Sequence, residues 1–405
     1  MSGEGRAWAW AAALREGTTT GWREWSEREA PEVPEQRGQR GHRLPGAQQM
    51  SVLLRLNRLA EATGRRVDQA TADRVLAADL AGRGRSELAL TGLEARDYGP
   101  RPVDPDELGA DELLRVVTSL LADDVARRAR IPDPPRRSSR AGAQAAHAAQ
   151  AAIVARLDRA RRARSRSAGF VVVGVPWRVP AVEATLRARG LQPGGRAPVA
   201  YLLAEDLGTS LAHAWTSRSF DQGGHGWPGF VRAAATGGRI PPRADLARMA
   251  RAARERWGAE QVRVVLDVAA LADELGVPEI VEPAPLGADA IELVRRVGEP
   301  LGLLGDERLR PGLLRSVLAS RLAGRGGALP TVEPRWTPWL RSHAERVRHE
   351  LTAAGYGVLG DLDALVPAAV PSTPVLPSAD GALALGLELL LDPDLCSAPR
   401  AEARA

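Results

Sequence analysis

Gly169-Phe170-Val171-Val172-Val173-Gly174-Val175 is the stretch on which the fold turns. Its valine-rich apolar run between two glycines is too short for a helix and suits a strand buried on both faces. Downstream the apolar period changes. Ala181 to Arg189 reads as a helix closed by Gly190, and Pro198 to Leu203 as a second strand. Leu207 to Ser219 and Ala244 to Trp257 read as helices, and Val262-Arg263-Val264-Val265-Leu266 supplies a third buried strand. Strand alternating with helix predicts an α/β fold, a parallel sheet with covering helices. From Ala288 onward a helical appendage is expected, with helices near Ile291 to Leu301, Arg310 to Leu322 and Pro338 to Ala354.

Upstream the pattern is helical. Gln48 to Thr63 places Val52, Leu53, Leu56, Leu59 and Ala60 near one face, and Asp68 to Leu80 and Asp111 to Val125 repeat the pattern, with Asp68 and Asp111 as candidate caps. Tyr98-Gly99-Pro100-Arg101-Pro102 marks a turn or an extended connection. The stretch Arg15-Glu16-Gly17-Thr18-Thr19 has the look of a phosphate loop, but no buried strand delivers it, and helix capping by the threonines is the expectation. Residues 1–126 are thus read as a small all-α domain, 127–166 as a basic linker, 167–370 as the α/β domain with its C-terminal helices, and 371–405 as a Pro/Ala-rich tail.

Charge and composition narrow the function. All 55 basic residues other than histidine are arginine. Mechanisms that need a lysine, such as a Walker-type phosphate loop, a pyridoxal Schiff base or a protein-kinase site, are therefore excluded. Between Arg127 and Arg166 the chain carries 12 Arg, 2 Asp and no Glu, so the formal +5 of the whole sequence conceals a linker at +10 and a remainder at −5. Such a linker is either solvated or an attachment point for an anionic partner, with affinity falling as salt rises. No aromatic residue lies between Tyr98 and Phe170, so base-stacking platforms are missing and sequence-specific nucleic-acid recognition is not expected. No apolar run reaches membrane-spanning length and the N-terminal residues do not resemble a secretory leader, so a cytoplasmic protein with no membrane partner is expected. The single cysteine, Cys396, can form neither an internal disulfide nor a cysteine metal cluster.

Three stretches carry a resemblance. They are Val199 to Val231 (with AEDLGTSLAHAWTSRSF and WPGF), Trp257 to Asp267 (WGAEQVRVVLD) and Leu351 to Pro367 (LTAAGYGVLGDLDALVP). Together they make the C-terminal half similar to the actinobacterial sulfotransferase-like family, P-loop-type α/β proteins related to enzymes that use phosphoadenosine phosphosulfate. The resemblance implies a donor site just after the first strand, where active relatives carry a Lys followed by Gly-Thr-Thr. Here the matching place is Gly174-Val175-Pro176-Trp177-Arg178-Val179-Pro180, with Trp177 in the lysine's position and Arg178 beside it. Pro180 lacks an amide proton, and Val179 lacks the backbone freedom of glycine. Where relatives carry an Arg before Asp-Leu for the 3′-phosphate, this chain has Glu205 before Asp206-Leu207. A carboxylate there repels a phosphate.

The family resemblance thus implies a sulfotransferase-like domain with a decayed donor site, no cofactor, no catalytic residue, and a role as binding or assembly partner of another protein. Two alternatives stay open. One is an active sulfotransferase whose phosphoadenosine phosphosulfate site is rebuilt from Gly174, Trp177, Arg178, Arg196 and Arg218; the other is anion or nucleic-acid binding through the basic linker. His213, Trp215, Arg218 and His225, beside the Gly-rich Gln222 to Trp227, form either a ligand pocket or partly buried packing. No histidine pair has metal-site spacing, His343 and His349 included. Gly360-Asp361-Leu362-Asp363 reads as a turn with a cap, and Trp336 and Trp339 as anchors for the start of the last helix of the appendage.

Overall fold

The computed structural model describes residues 3–28, 44–78, 88–93, 102–130, 169–175, 177–195, 198–238, 240–304, 308–367 and 372–392. Four strands, β3 (Phe170–Gly174), β4 (Val199–Leu203), β5 (Val262–Val265) and β6 (Gly357–Leu359), form a parallel sheet in that order. The first three are those expected. The fourth was hidden in sequence because it is three residues long and half-exposed throughout. A separate two-stranded parallel ladder pairs β1 (Ala89–Leu90) with β2 (Pro102–Val103) inside the part read as all-α; of the expected turn or extended connection from Tyr98 to Pro102, only Pro102 lies among the described residues.

Period-two alternation divides the sheet into two apolar faces. Phe170, Val172, Tyr201, Leu203 and Val265 point to one face, where helices α6 (Val179–Ala188) and α10 (Val268–Leu275) bury Val182, Leu186 and Leu271. Ala200, Leu202, Val262 and Val264 point to the other, against α9 (Leu246–Trp257) and α14 (Thr337–Ala354). Gly174 ends β3 with φ 129°, and a Cβ there would lie 2.2 Å from the Leu203 carbonyl oxygen. Only glycine lets the two strands approach so closely at that point.

The helices form a second, larger core. In chain order they are α1 (Gly3–Arg15), α2 (Trp22–Glu27), α3 (Ala47–Ala62), α4 (Gln69–Leu76), α5 (Ala110–Arg130), α7 (Leu207–Asp221), α8 (Trp227–Thr236), α11 (Ala288–Leu304), α12 (Arg310–Leu314), α13 (Ser320–Leu322) and α15 (Ala379–Leu390). A continuous apolar cluster runs from Trp10 and Leu53 through Val117 to Trp215, Leu293 and Leu383. The described residues between 3 and 126 therefore share their core with the second half of the chain. Residues read as a tail supply α15, whose Leu383, Leu389 and Leu390 are buried, and residues 127–130 of the expected linker continue α5. Binary patterning marks each helix as amphipathic but does not say which partner covers it.

Hydrogen bonds fix these contacts. Asp68 caps α4 as expected, accepting from the Thr71 amide at 2.8 Å. Asp111 lies inside the first turn of α5 instead of capping it, and accepts from Arg296 Nη2 of α11 at 2.7 Å. Neither Thr18 nor Thr19 caps α2, whose N-cap is Gly21; their carbonyls accept from Asn57 and Arg58. Ser378 caps α15 through the Gly381 amide at 2.9 Å, while its own amide donates to Asp289 on α11 at 2.6 Å. Close to the α5–α15 contact, a Cβ on Gly386 would lie 2.5 Å from Val117 Cγ1.

Leu293→Ala in α11 or Leu383→Ala in α15 is expected to lower the unfolding free energy by about 2–5 kcal/mol, the usual cost of emptying a closed core site. Urea unfolding followed by both circular dichroism and tryptophan fluorescence should give one coincident transition for the wild type. Two separated transitions would show that the N-terminal helices unfold on their own.

Candidate functional site

After β3 the chain crosses to α6 on one face of the sheet, and after β4 it returns to β5 through α9 on the other. The loops that follow β3 and β4 meet at the carboxyl ends of the two strands, the side of a parallel sheet where ligands usually bind, although the strand order β3-β4-β5-β6 does not reverse there. Arg178 and Glu205 lie there. Arg178 is the N-cap of α6, and Glu205 precedes Asp206, which caps α7 by accepting from the Thr209 amide at 3.1 Å.

The crevice at these strand ends is occupied by the protein's own charges. Arg178 Nη1 donates to Glu205 Oε1 and Nε to Glu282 Oε1, so one guanidinium is held between two carboxylates. His213, buried in α7, puts Nε2 3.6 Å from Glu205 Oε2, too far for a hydrogen bond. Burial pushes the Glu205 carboxyl up to about 7, with Arg178 opposing and Asp206 and Glu282 adding to the rise. Burial, reinforced by Arg178, pulls His213 down to about 4. Glu282 had no signal in the sequence, since it lies in an irregular segment far along the chain. Next to this cluster a cavity of 20 Å³, bordered by Val175, Glu205, Ser210, Met249 and His343, has room for about one water.

The α6 N-terminus offers nothing to a phosphate. The Arg178 and Val179 amides donate to Val175 O at 3.0 and 3.1 Å, and those of Ala181 and Val182 donate to Arg178 O at 3.1 and 3.3 Å. Pro180 has no amide proton. Trp177 turns away from the strand ends onto α7, stacked on Phe220 with centroids 5.6 Å apart and rings 22° from parallel. Arg315 also lies over the Phe220 ring, its guanidinium 5.1 Å from the centroid, and pairs with Asp221 at 2.7 Å. Gly174 approaches Leu203, and that contact accounts for its glycine. These residues do not fit phosphoadenosine phosphosulfate: the amides from 178 to 182 are engaged or missing, Arg178 is neutralised by two carboxylates, and Glu205 adds a carboxyl group where an anion would have to be held.

No family model, curated protein or solved structure matches this chain.

Of the four expected site residues that the structure describes, Arg218 stands apart from the other three. Gly174, Trp177 and Arg178 stay together by sequence, but Arg218 is exposed on α7 beside Gly224, and Arg196 lies outside the described residues, as does nearly all of the basic linker with its expected anionic partner. The His213 to His225 cluster splits. Trp215 is packing with a satisfied tip, its Nε1 donating to the His225 carbonyl at 3.1 Å and its ring set against Trp227 at 5.5 Å, whereas Arg218 and His225 face a surface depression. Asp361 caps a short helical turn by accepting from the Asp363 amide at 2.9 Å, and Trp336 and Trp339 pack on the large core at the start of α14, as read from the sequence. Among the described residues no group of His, Cys, Asp and Glu is arranged to hold a metal ion, and no helix is long and apolar enough to cross a membrane.

The two buried titrating groups oppose each other. Glu205 has a folded pKa raised from 4.5 to about 7, so its contribution is present below about pH 4.5 and lost as pH rises to about 7. His213 is lowered from 6.5 to about 4, so its contribution is present above about pH 6.5 and lost as pH falls to about 4. Glu205→Gln should therefore gain stability relative to wild type as pH rises through that window, with a slope of at most about 1.4 kcal/mol per pH unit, read by urea unfolding at a series of pH values. A pH-independent difference would mean that Glu205 titrates normally.

Proposed function

We propose that this chain is a sulfotransferase-like protein without transfer activity, working as a binding or assembly partner of another protein. The observation that carries this reading is the self-neutralised strand-end crevice, where Arg178 is shared by Glu205 and Glu282 and the amides from 178 to 182 are engaged or missing. A transfer site must leave such donors free for the charge that develops on the reacting group. Trp177 supports the same reading, because its stacking on Phe220 spends the large side chain on packing the turn before α6 against α7. The resemblance to sulfotransferase-like proteins supplies the architecture, and architecture alone does not confer chemistry.

Calorimetry with adenosine 3′,5′-bisphosphate, the product nucleotide of sulfate transfer, tests this directly. No saturable heat is expected up to millimolar ligand, a limit near −4 kcal/mol of binding free energy. One-to-one binding that is lost in the Arg178→Ala, Arg196→Ala double variant would overturn the proposal in favour of an arginine-based donor site.

A further inference from the structure

Away from the strand ends, α8, α9 and α14 enclose an open depression of about 1010 Å³. Its size is at the upper end for small-molecule sites, roughly 300–1,000 Å³. Its floor is apolar, made by Phe230, Ala234, Ile240, Pro241 and Val347. Its rim is cationic. Arg218 comes from the last turn of α7, Arg248 from the first turn of α9 and Arg346 from the middle of α14, and all three are exposed.

None of these three guanidiniums is paired with a carboxylate among the described residues, although Asp245, Glu350 and Arg251 share the depression. Arg251 and Glu350 neutralise each other and tie α9 to α14. Asp245 is engaged as the cap of α9, accepting from the Arg248 amide at 3.0 Å. Arg346 Nη2 lies 2.7 Å from His343 Nδ1. Since arginine can only donate, Nδ1 accepts, and Nε2 is left as the ring's own donor. Trp339, one turn before His343, adds a half-exposed indole to the same stripe of α14.

We infer that this depression binds a small amphiphilic anion: a phosphate or sulfate monoester whose oxygens are held by Arg218, Arg248 and Arg346 and whose aromatic or aliphatic body lies on the Phe230–Ile240 floor. Forked guanidiniums match tetrahedral oxyanions, and an apolar floor beneath them selects an esterified group over a free inorganic one. The site shares no arginine with the strand-end crevice and does not depend on how that crevice is read.

Calorimetric titration of the full chain with 2-naphthyl phosphate and 2-naphthyl sulfate, at physiological ionic strength to screen diffuse attraction, tests the assignment. Saturable one-to-one binding is expected for at least one ester, and the tighter one identifies the head group. Arg218→Ala, Arg248→Ala and Arg346→Ala should each weaken it about tenfold, the loss of one charge-assisted contact. Arg341→Ala, an exposed arginine of α14 outside the depression, should leave it unchanged. Inorganic phosphate and 2-naphthol should each bind at least about tenfold more weakly than the ester. Absence of saturable binding by both esters, or binding indifferent to the three substitutions in proteins with unchanged thermal unfolding, would overturn the site; equal affinity for inorganic phosphate would overturn its amphiphilic character.

Discussion

From Ala288 to Gly298 helix α11 has almost no face to give to solvent, and the arrangement of the helical half follows from that. Leu293, Val294 and Val297 are fully buried, and α5, α7, α12 and α15 all pack against the helix. Its polar residues are drawn inward too. Glu292 is 5% exposed and receives Arg295 at 2.6 and 2.8 Å and Arg296 at 2.7 Å. Burial pushes the Glu292 carboxyl up, but the two guanidiniums outweigh it and hold it below its usual value. An ion cluster of this kind contributes little net stability compared with an apolar equivalent, yet losing one partner would strand a buried charge. It fixes orientation: Arg296 reaches Asp111 on α5 and Arg295 reaches the Gly224 carbonyl at 3.1 Å, so one carboxylate organises three segments far apart in sequence.

The strand-end crevice shows a different use of charge. In a parallel sheet the carboxyl ends of the strands collect whatever polar groups the following loops deliver, and an empty crevice favours a ligand. Here β3 delivers an arginine, β4 a glutamate, and the segment after α10 a second glutamate, which together satisfy one another. Among the described residues Glu205 keeps one oxygen without a hydrogen-bond partner, as His213 keeps Nδ1, and burial is the largest influence on the titration of both groups. By contrast, the depression over α9 and α14 leaves Arg218, Arg248 and Arg346 without a carboxylate partner among the described residues, because Asp245 is spent on a cap and Glu350 on Arg251.

Much of the sheet was legible in the sequence, and for a definite reason. The Phe170, Val199 and Val262 runs are short, apolar and bounded by helical periods, and only a covered parallel sheet accommodates that alternation. The helices that were read from apolar stripes and from caps such as Asp68 lie mostly within two residues of their positions, but α1, α2, α8, α10 and α15 were not read as helices. Partners were not legible. Nothing in the pattern of α15 says that it is covered by α5, and its proline-rich approach suggests a tail. The crevice was legible only by what it lacks: Trp177 and Pro180 argue against a phosphate cradle, but the pairing of Arg178 with Glu282 joins residues more than 100 positions apart, a contact that no local signal encodes. Arg218 was read as part of the same site as Arg178 because both are arginines near family-like stretches, whereas the fold places it at the rim of another concavity.

The order in which the core is supplied has its own consequence. Helix α5 ends at Arg130 and α15 begins at Ala379, so the contact between them joins segments far apart along the chain. The entropic cost of closing so long a loop grows only logarithmically, but contacts of this separation slow folding. During synthesis the apolar face of α5 leaves the ribosome long before α11 or α15 exists to cover it. At about 5–20 residues per second that interval lasts tens of seconds. Translation thus builds the floor of the helical core first and its roof last, and for that time the unroofed surface is open to every other chain in the vicinity.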